Sequence, residues 1–184
     1  MSEDLLLRED QDGVSVLTLN NPKAINALSE DMLAALSAEF DAIAQDRSVK
    51  AVILRSAGKH FCAGHNLKEM TARRADEDGG FQYFQDLFAN CSAMMLRIVN
   101  LPQPVIAEVK GIATAAGCQL VATCDLAVAA DTATFATSGV NIGLFCSTPM
   151  VALSRNVARK HAMEMLLLGE FLPAERVADM GLIN

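Results

Sequence analysis

Hydrophobic and polar positions follow two different periods along the chain, and the change of period separates strands from helices. Residues 14–19 alternate between apolar and polar, which predicts a strand. Residues 29–46 carry apolar side chains at three- and four-residue spacing, which predicts an amphipathic helix, and residues 81–99 repeat this spacing. The apolar runs 51–54 and 104–107 predict two buried strands.

The second half of the chain continues this alternation. Strand patterns recur at 126–129 and around Phe135, and helical patterns begin near residues 116, 149, 161 and 173. Strands that alternate with helices predict an α/β domain with a largely parallel sheet flanked by helices. No repeat or linker interrupts the pattern, so residues 1–184 are expected to form a single domain. The apolar end at 181–184 is typical of a new strand, so we expect the natural protein to continue.

Two loops of small residues stand out from this pattern. They span residues 58–67 and 110–120, and each follows a predicted buried strand and opens a helix. Small residues allow another backbone or a ligand to approach closely, and the first N–H groups of a helix have no internal partner. If the two turns lie side by side, two free N–H groups converge on one oxygen atom. The sequence therefore predicts an oxyanion hole.

Composition narrows the class of protein. Of the 184 residues, 52% are hydrophobic and 20% charged, which is typical of a folded domain. The formal net charge of −7 argues against a nucleic-acid partner, and no 18-residue uncharged apolar span predicts a membrane helix. The acidic start lacks a signal-peptide pattern, so we expect a cytoplasmic protein. Five cysteines without a C-x-x-C pair predict buried thiols rather than a metal site or disulfides.

Several segments, in order over nearly the whole chain, resemble the crotonase, or enoyl-CoA hydratase/isomerase, superfamily. They are residues 19–28, 61–70, 104–107, Gly111, Ala113, 117–120, 124–125, Phe135, Gly143, Gly169 and 174–183. The resemblance implies a crotonase-like superhelix of ββα units, an acyl-CoA thioester as substrate, and an enolate held by the backbone N–H groups of His65 and Ala116. Coenzyme A would be part of the substrate, with no separate cofactor and no metal.

The resemblance also implies a binding site and an assembly. Lys23 and Lys68 would be candidates for the phosphates of coenzyme A. The residues that would line the groove for the thioester are Lys23, Ala24, Ala27, Ala63, Gly64, Asn66, Leu67, Lys68, Gly117 and Leu144. Family members carry further C-terminal helices that close over the acyl site and build trimers and hexamers. This chain ends before them, so a homotrimer or hexamer and uncovered apolar surface near Leu166, Leu168 and Leu182 are expectations.

The chain departs from the family pattern where hydratases carry two glutamates that position and activate water. Gln119 stands at the first position and Gly139 at the second. An amide holds water but cannot take its proton, and glycine does neither. General acid–base help contributes about two to four orders of magnitude in rate, so we expect no ordinary hydratase activity. Asn66 replaces the usual Asp, and both residue types cap helices.

Three functions remain open at this point. The first is an acyl-CoA enzyme of the hydratase/isomerase type with altered acid–base groups. The second is a malonyl-CoA-type decarboxylase, which the Gly64-His65 pair and residues 140–143 resemble and which needs no base. The third is a non-catalytic acyl-CoA-binding protein. The related serine-protease branch needs a serine in the second small loop, which reads Ala-Thr-Ala-Ala at 113–116.

Other polar groups near the predicted site have structural interpretations. We expect the His65 side chain to pack beside the acyl group and the Cys146 thiol to be buried and inert. Thr148 and Pro149 form a typical helix start, with Thr148 at the N-cap and Pro149 at the first helical position.

Overall fold

A computed structural model describes residues 4–184, and strands alternate with helices along most of this length. The strands are β1 (Leu6–Gln11), β2 (Val14–Leu19), β3 (Ala51–Ser56), β4 (Val105–Val109), β5 (Ile112–Thr114), β6 (Leu126–Ala129), β7 (Thr134–Ala136) and β8 (Leu172–Pro173). The helices are α1 (Glu30–Gln45), α2 (Leu67–Ala72), α3 (Phe81–Asn100), α4 (Ala116–Thr123), α5 (Ser147–Asn156), α6 (Arg159–Leu168) and α7 (Ala174–Asp179). Short 3₁₀ turns lie at Pro22–Ala24, Arg73–Ala75 and Ser138–Ile142.

The main sheet has the order β1-β2-β3-β4-β6, and all its pairs except β1–β2 are parallel. Parallel neighbours need crossover connections, which α1 supplies between β2 and β3, and α2 with α3 between β3 and β4. A second sheet has the order β5-β7-β8, with β5 and β7 parallel. The prediction of a mostly parallel sheet flanked by helices is confirmed.

The helices α1 and α3 pack on the main sheet through the apolar stripes that the sequence predicts. The buried face of α1 is formed by Met32, Leu36 and Phe40, and that of α3 includes Met94 and Ile98. The Ser29 hydroxyl accepts a hydrogen bond from the Met32 N–H at 3.1 Å, which confirms the predicted start of α1. This packing holds the ends of β3 and β4, where the two small-residue loops begin.

The structure differs from the sequence prediction at four places: two strands were missed and two expectations were wrong. Strand β1 was not predicted, because its Arg-Glu-Asp-Gln end is typical of an exposed edge. Strand β5 lies inside the second small-residue loop and was not predicted, because this three-residue strand is stabilised by pairing with β7. Helix α5 begins at Ser147 with Cys146 at the N-cap, so Thr148 does not cap it. Residues 181–184 form no strand, since a turn at Gly181 follows α7.

The far end of the described chain is better covered than expected. Leu166 and Leu182 are buried in the core, and Leu168 alone is exposed among the three leucines expected to be uncovered. Within residues 4–184, no helix is both long and apolar enough to cross a bilayer. The same residues contain no cluster of three metal-ligating side chains, and all five cysteines are free and buried.

Candidate active site

A cavity of about 440 Å³ lies where the first small-residue loop, the start of α4 and the segment 138–149 meet. We call it the acyl cavity, after the acyl group that the resemblance noted in the sequence implies. Its volume falls within the range of small-molecule sites. Its lining residues are Ala63, His65, Leu67, Met70, Phe88, Ala115, Ala116, Ser138, Gly139, Ile142, Leu144, Phe145, Cys146, Ser147, Thr148 and Pro149.

The two small-residue loops lie side by side at this cavity. The Cys62 N–H donates to the Ile112 carbonyl at 3.1 Å, and the Thr114 N–H donates to the Cys62 carbonyl at 3.0 Å. A methyl group on Gly117 would overlap the Cys62 carbonyl oxygen. The lack of a side chain on Gly117 therefore allows the two loops to approach this closely. A methyl group on Gly64 would lie 3.0 Å from the backbone nitrogen of Ala116. The first loop therefore contacts the start of α4 directly.

The two N–H groups that the sequence predicts as an oxyanion hole have no protein acceptor. Among residues 4–184, neither the His65 nor the Ala116 N–H donates to a protein acceptor, and both residues line the acyl cavity. By contrast, the Ala63 N–H donates to the Ile25 carbonyl and the Ala115 N–H to the Ala136 carbonyl, both at 3.0 Å. The first N–H groups of a helix have no internal partner, so the Ala116 N–H is available to an acceptor from a ligand, as is the His65 N–H.

The backbone at Ala115 carries strain that orients the second donor. Ala115 has φ 51° and ψ −121°, a conformation that residues with a Cβ rarely adopt. This turn carries the chain from β5 into α4 and leaves the Ala116 N–H at the first position of the helix, where the dipole favours negative charge. Strained backbone of this kind clusters at functional sites.

A buried asparagine that the sequence analysis did not assign a role fixes the first loop. Asn26 is fully buried, and its amide donates to the carbonyls of Ala57 and His60 at 3.0 and 2.9 Å. Its Oδ1 accepts from the Asn21 N–H at 2.8 Å. Asn26 therefore ties the turn after β2 to the loop that carries His65. Its position in the segment 19–28 was the only signal in the sequence.

The two residues at the glutamate positions lie in different places. Gly139 lines the acyl cavity, but a methyl group there would overlap the Leu144 carbonyl oxygen and lie 2.8 Å from the Cys146 Sγ. Gln119 lines a second cavity of about 530 Å³ between α3, α4 and α5. Thr148 is the one residue among those described that lines both cavities. The structure therefore does not bring Gln119 and Gly139 together in the acyl cavity.

The titratable side chains of the acyl cavity are neutral. The His65 ring packs edge-on against Phe88 with centroids 5.6 Å apart, and both ring nitrogens are buried without a hydrogen-bond partner among the described residues. Burial lowers the pKa of His65, and this effect outweighs the opposing influence of the Leu28 backbone. Burial also raises the pKa of the Cys146 thiol. None of the described lining residues is a carboxylate, and the one side chain among them that could accept a proton at pH 7 is the buried His65 imidazole.

The predicted binding residues divide by accessibility. Ala63, Leu67 and Leu144 line the acyl cavity. Lys23, Ala24 and Lys68 are exposed, and Asn66 caps α2 by accepting from the Lys68 N–H at 3.1 Å. The remaining three, Ala27, Gly64 and Gly117, are buried. Residues of the cavity wall that sequence reasoning missed include Met70, Phe88 and Phe145, which come from separate elements.

Residues 9–184 match the family model described as enoyl-CoA hydratase/isomerase. The chain belongs to this family. A solved enoyl-CoA hydratase from Mycobacterium smegmatis shares 60% identity with this member, with a TM-score of 0.94, over 99% of this chain and 69% of that one. The solved human enoyl-CoA hydratase domain-containing protein 3 has a TM-score of 0.91 at 47% identity, over 98% and 69% of the two chains. The crotonase-like fold is confirmed.

Among curated relatives, the rat enoyl-CoA hydratase domain-containing protein 3 is 48% identical over 95% of this chain and 56% of its own length. The chain thus spans little more than half of that relative. The rat and human proteins are named as mitochondrial, so the cytoplasmic location predicted from the sequence was wrong. That prediction rested on the first four residues, whose acidic composition does not report location. The expected homotrimer or hexamer stays a prediction.

Proposed function

We propose that this chain binds an acyl-CoA thioester with its carbonyl oxygen between the N–H groups of His65 and Ala116, and that it stabilises the enolate form of that thioester. The observation that carries this proposal is that the His65 and Ala116 N–H groups, which lie at one cavity, have no protein acceptor among residues 4–184. Removing one such donor typically costs a hundred- to thousandfold in rate in enzymes that use it. Exposed Lys23 and Lys68 would meet the phosphates of coenzyme A outside the cavity.

Ordinary hydration of an enoyl thioester is not part of this proposal. Addition of water needs a general base. Position 139 is a glycine, and the titratable groups at the acyl cavity are the buried His65 imidazole and the protonated Cys146 thiol. Two missing acid–base groups would each cost about two to four orders of magnitude. We therefore expect this member to hydrate crotonyl-CoA far more slowly than a family enzyme that carries both glutamates.

The neutral cavity also favours a second candidate, a non-catalytic acyl-CoA-binding protein. Binding needs the two donors and an apolar wall but no base. The malonyl-CoA decarboxylase alternative shares the donors, yet its carboxylate would find no cation among the described lining residues. Release of CO₂ from malonyl-CoA would revive that alternative, and we expect none.

The experiment pairs binding with turnover. Titration calorimetry compares butyryl-CoA with free CoA, and an absorbance assay follows hydration of crotonyl-CoA. The proposal predicts tighter binding of the thioester than of free CoA. Equal affinity for the two would contradict it. Isomerisation of a 3-enoyl thioester, followed by mass spectrometry, separates the enzyme from the non-catalytic candidate.

A further inference from the structure

The turn after β2, which leads into α1, lies along the first small-residue loop. The Ala63 N–H donates to the Ile25 carbonyl at 3.0 Å, and the Leu28 N–H donates to the Gly64 carbonyl at 2.8 Å. Leu28 is fully buried, so water does not compete for its hydrogen bond. The second of these bonds reaches the peptide group that carries the His65 N–H.

The bond from Leu28 fixes the direction of the His65 N–H. The peptide bond between Gly64 and His65 is trans, so its carbonyl and its N–H point to opposite sides of the chain. Since the carbonyl points to Leu28, the N–H points away from it. Among residues 4–184 the His65 N–H has no acceptor of its own, so its orientation depends on the position of Leu28.

Asn26 holds the turn after β2 in a strained conformation. Ile25 and Asn26 have φ values of 53° and 49°, in the left-handed region that a β-branched residue rarely adopts. Such strain persists only where surrounding contacts hold it. The fully buried Asn26 amide supplies these contacts, because both of its hydrogens are donated to the carbonyls of Ala57 and His60 in the first loop.

We infer that Asn26 is a positioning residue for the pair of donors at His65 and Ala116. Its amide holds the strained turn in place, and the Leu28 N–H of that turn orients the His65 N–H through their shared peptide group. The inference rests on the proposed function, because it takes the His65 N–H as a donor to the thioester oxygen. Hydrogen bonds in a chain polarise one another, so a ligand oxygen on the His65 N–H strengthens the bond from Leu28.

The first test uses the unaltered chain. A nitrogen–proton correlation spectrum is compared between butyryl-CoA and S-butyl-CoA, a thioether that lacks the carbonyl oxygen. The Leu28 amide proton should move downfield together with that of His65, and only with the thioester. Ala63 is the control, because its N–H joins the same two segments through a different peptide group. A shift at His65 without one at Leu28 would overturn the inference.

A pair of variants tests Asn26 itself. Asn26→Gly removes the amide, and glycine adopts a φ of 49° without strain. Gln103→Ala is the matched control, because the buried Gln103 amide also donates to two backbone carbonyls, those of Ile43 and Asp46, and does not line the acyl cavity. Calorimetry measures the affinity for butyryl-CoA relative to S-butyl-CoA. We expect this ratio to fall about threefold or more in Asn26→Gly, the effect of weakening one hydrogen bond, and to stay unchanged in Gln103→Ala.

The outcomes separate this inference from the proposed function. Thermal melts check that both variants fold, and if Asn26→Gly does not, Asn26→Ser, which keeps one hydroxyl donor, takes its place under the same criteria. An unchanged ratio in the Asn26 variant, or an equal fall in Gln103→Ala, would overturn the role of Asn26. If butyryl-CoA gave no shift at His65 in the unaltered chain, the proposed function itself would fail.

Discussion

Backbone groups form one side of the acyl cavity, and side chains form the other. One side is backbone, supplied by the loop that ends at His65 and by the first residue of α4. The other side is made of side chains from residues 138–149, all of them uncharged. In the proposed function, the backbone side polarises a thioester. None of the described residues on the side-chain side is an acid that would complete hydration. The proposed function thus separates binding from proton transfer.

The largest effect is expected on the backbone side, from Gly117→Ala. The added methyl would overlap the Cys62 carbonyl oxygen and lie 2.8 Å from the Cys62 carbonyl carbon. Both are backbone atoms, which cannot move away by a side-chain rotation. We expect a loss of about 3 kcal/mol or more in the free energy of unfolding. At roughly 2–4 °C per kcal/mol for a chain of this length, the melting temperature should fall by about 10 °C.

The control for this variant is Gly79→Ala. Gly79 has φ 67°, but nothing lies within 4 Å of an added methyl. Only the backbone strain remains, at about 1–2 kcal/mol. A similar loss in the two variants would show that contact between the loops is not what Gly117 provides.

The next largest effect is expected on the side-chain side, from the double variant Gln119→Glu with Gly139→Glu. This variant places glutamates at both of the family's positions. Hydration should not appear, because the second cavity holds position 119 and the Leu144 carbonyl fills the space at position 139. The overlap at 139 should lower the free energy of unfolding by about 1–3 kcal/mol. Crotonyl-CoA hydration and thermal melts measure the two results.

Two variants sharpen that result. Gln119→Glu alone should leave hydration at the wild-type level, and Gly139→Ala alone should reproduce most of the destabilisation. A hundredfold gain in hydration by the double variant would mean that the wall at 138–149 rearranges and that the two sides are not independent.

A smaller effect is expected from Asn66→Ala, where the first loop enters α2. The Asn66 side chain accepts from the Lys68 N–H at 3.1 Å and donates to Glu69 at 2.8 Å. Loss of an N-cap costs about 1 kcal/mol, which corresponds to a fall of about 2–4 °C in melting temperature. Asn66→Asp keeps the cap acceptor and serves as the control. A loss as large in the aspartate variant would assign the effect to the Glu69 contact.

The smallest effect is the pH dependence contributed by His65. Burial lowers its pKa in the folded chain below the value near 6.5 of an unfolded chain. The unfolded state then binds more protons below about pH 6.5, so stability falls as the pH falls through that value. His65→Phe should flatten the dependence of melting temperature on pH between 7.5 and 5.0. An unchanged slope would contradict the burial of a neutral imidazole.

The carboxylates of Asp10 and Asp78 do not interfere in that window. The pKa values of Asp10 and Asp78 are lowered, chiefly by the hydrogen bond from Arg8 and by the Gln82 N–H respectively. Their stabilising contributions are present above about pH 4 and are lost only as the pH falls below it.

The backbone side was predictable from the sequence for a physical reason. Small residues between a buried strand and a helix are a local signal in the sequence, so the loops at 58–67 and 110–120 could be located from nearby residues alone. The caps at Ser29 and Asn66 are equally local. Strand β5 escaped prediction because its three residues gain stability only by pairing with β7, some twenty residues further on.

The side-chain side could not be predicted in the same way. Phe88 and Phe145 come from α3 and from the loop before α5, so their meeting at one cavity depends on tertiary packing. Gln119 follows Ala116 by three positions, yet the packing of α3 and α5 against α4 turns it to the second cavity. The substitutions at 119 and 139 were visible in the sequence. The lack of space at 139 was not.

Amide chemical shifts test the central claim most directly. A nitrogen–proton correlation spectrum is recorded with butyryl-CoA and with S-butyl-CoA, a thioether that lacks the carbonyl oxygen. The account predicts that the His65 and Ala116 amide protons move downfield with the thioester but not with the thioether. Ala63 and Ala115, whose N–H groups already have partners, should move little. Equal shifts with both ligands, or no shift at His65 and Ala116, would contradict a shared oxygen site at these two residues.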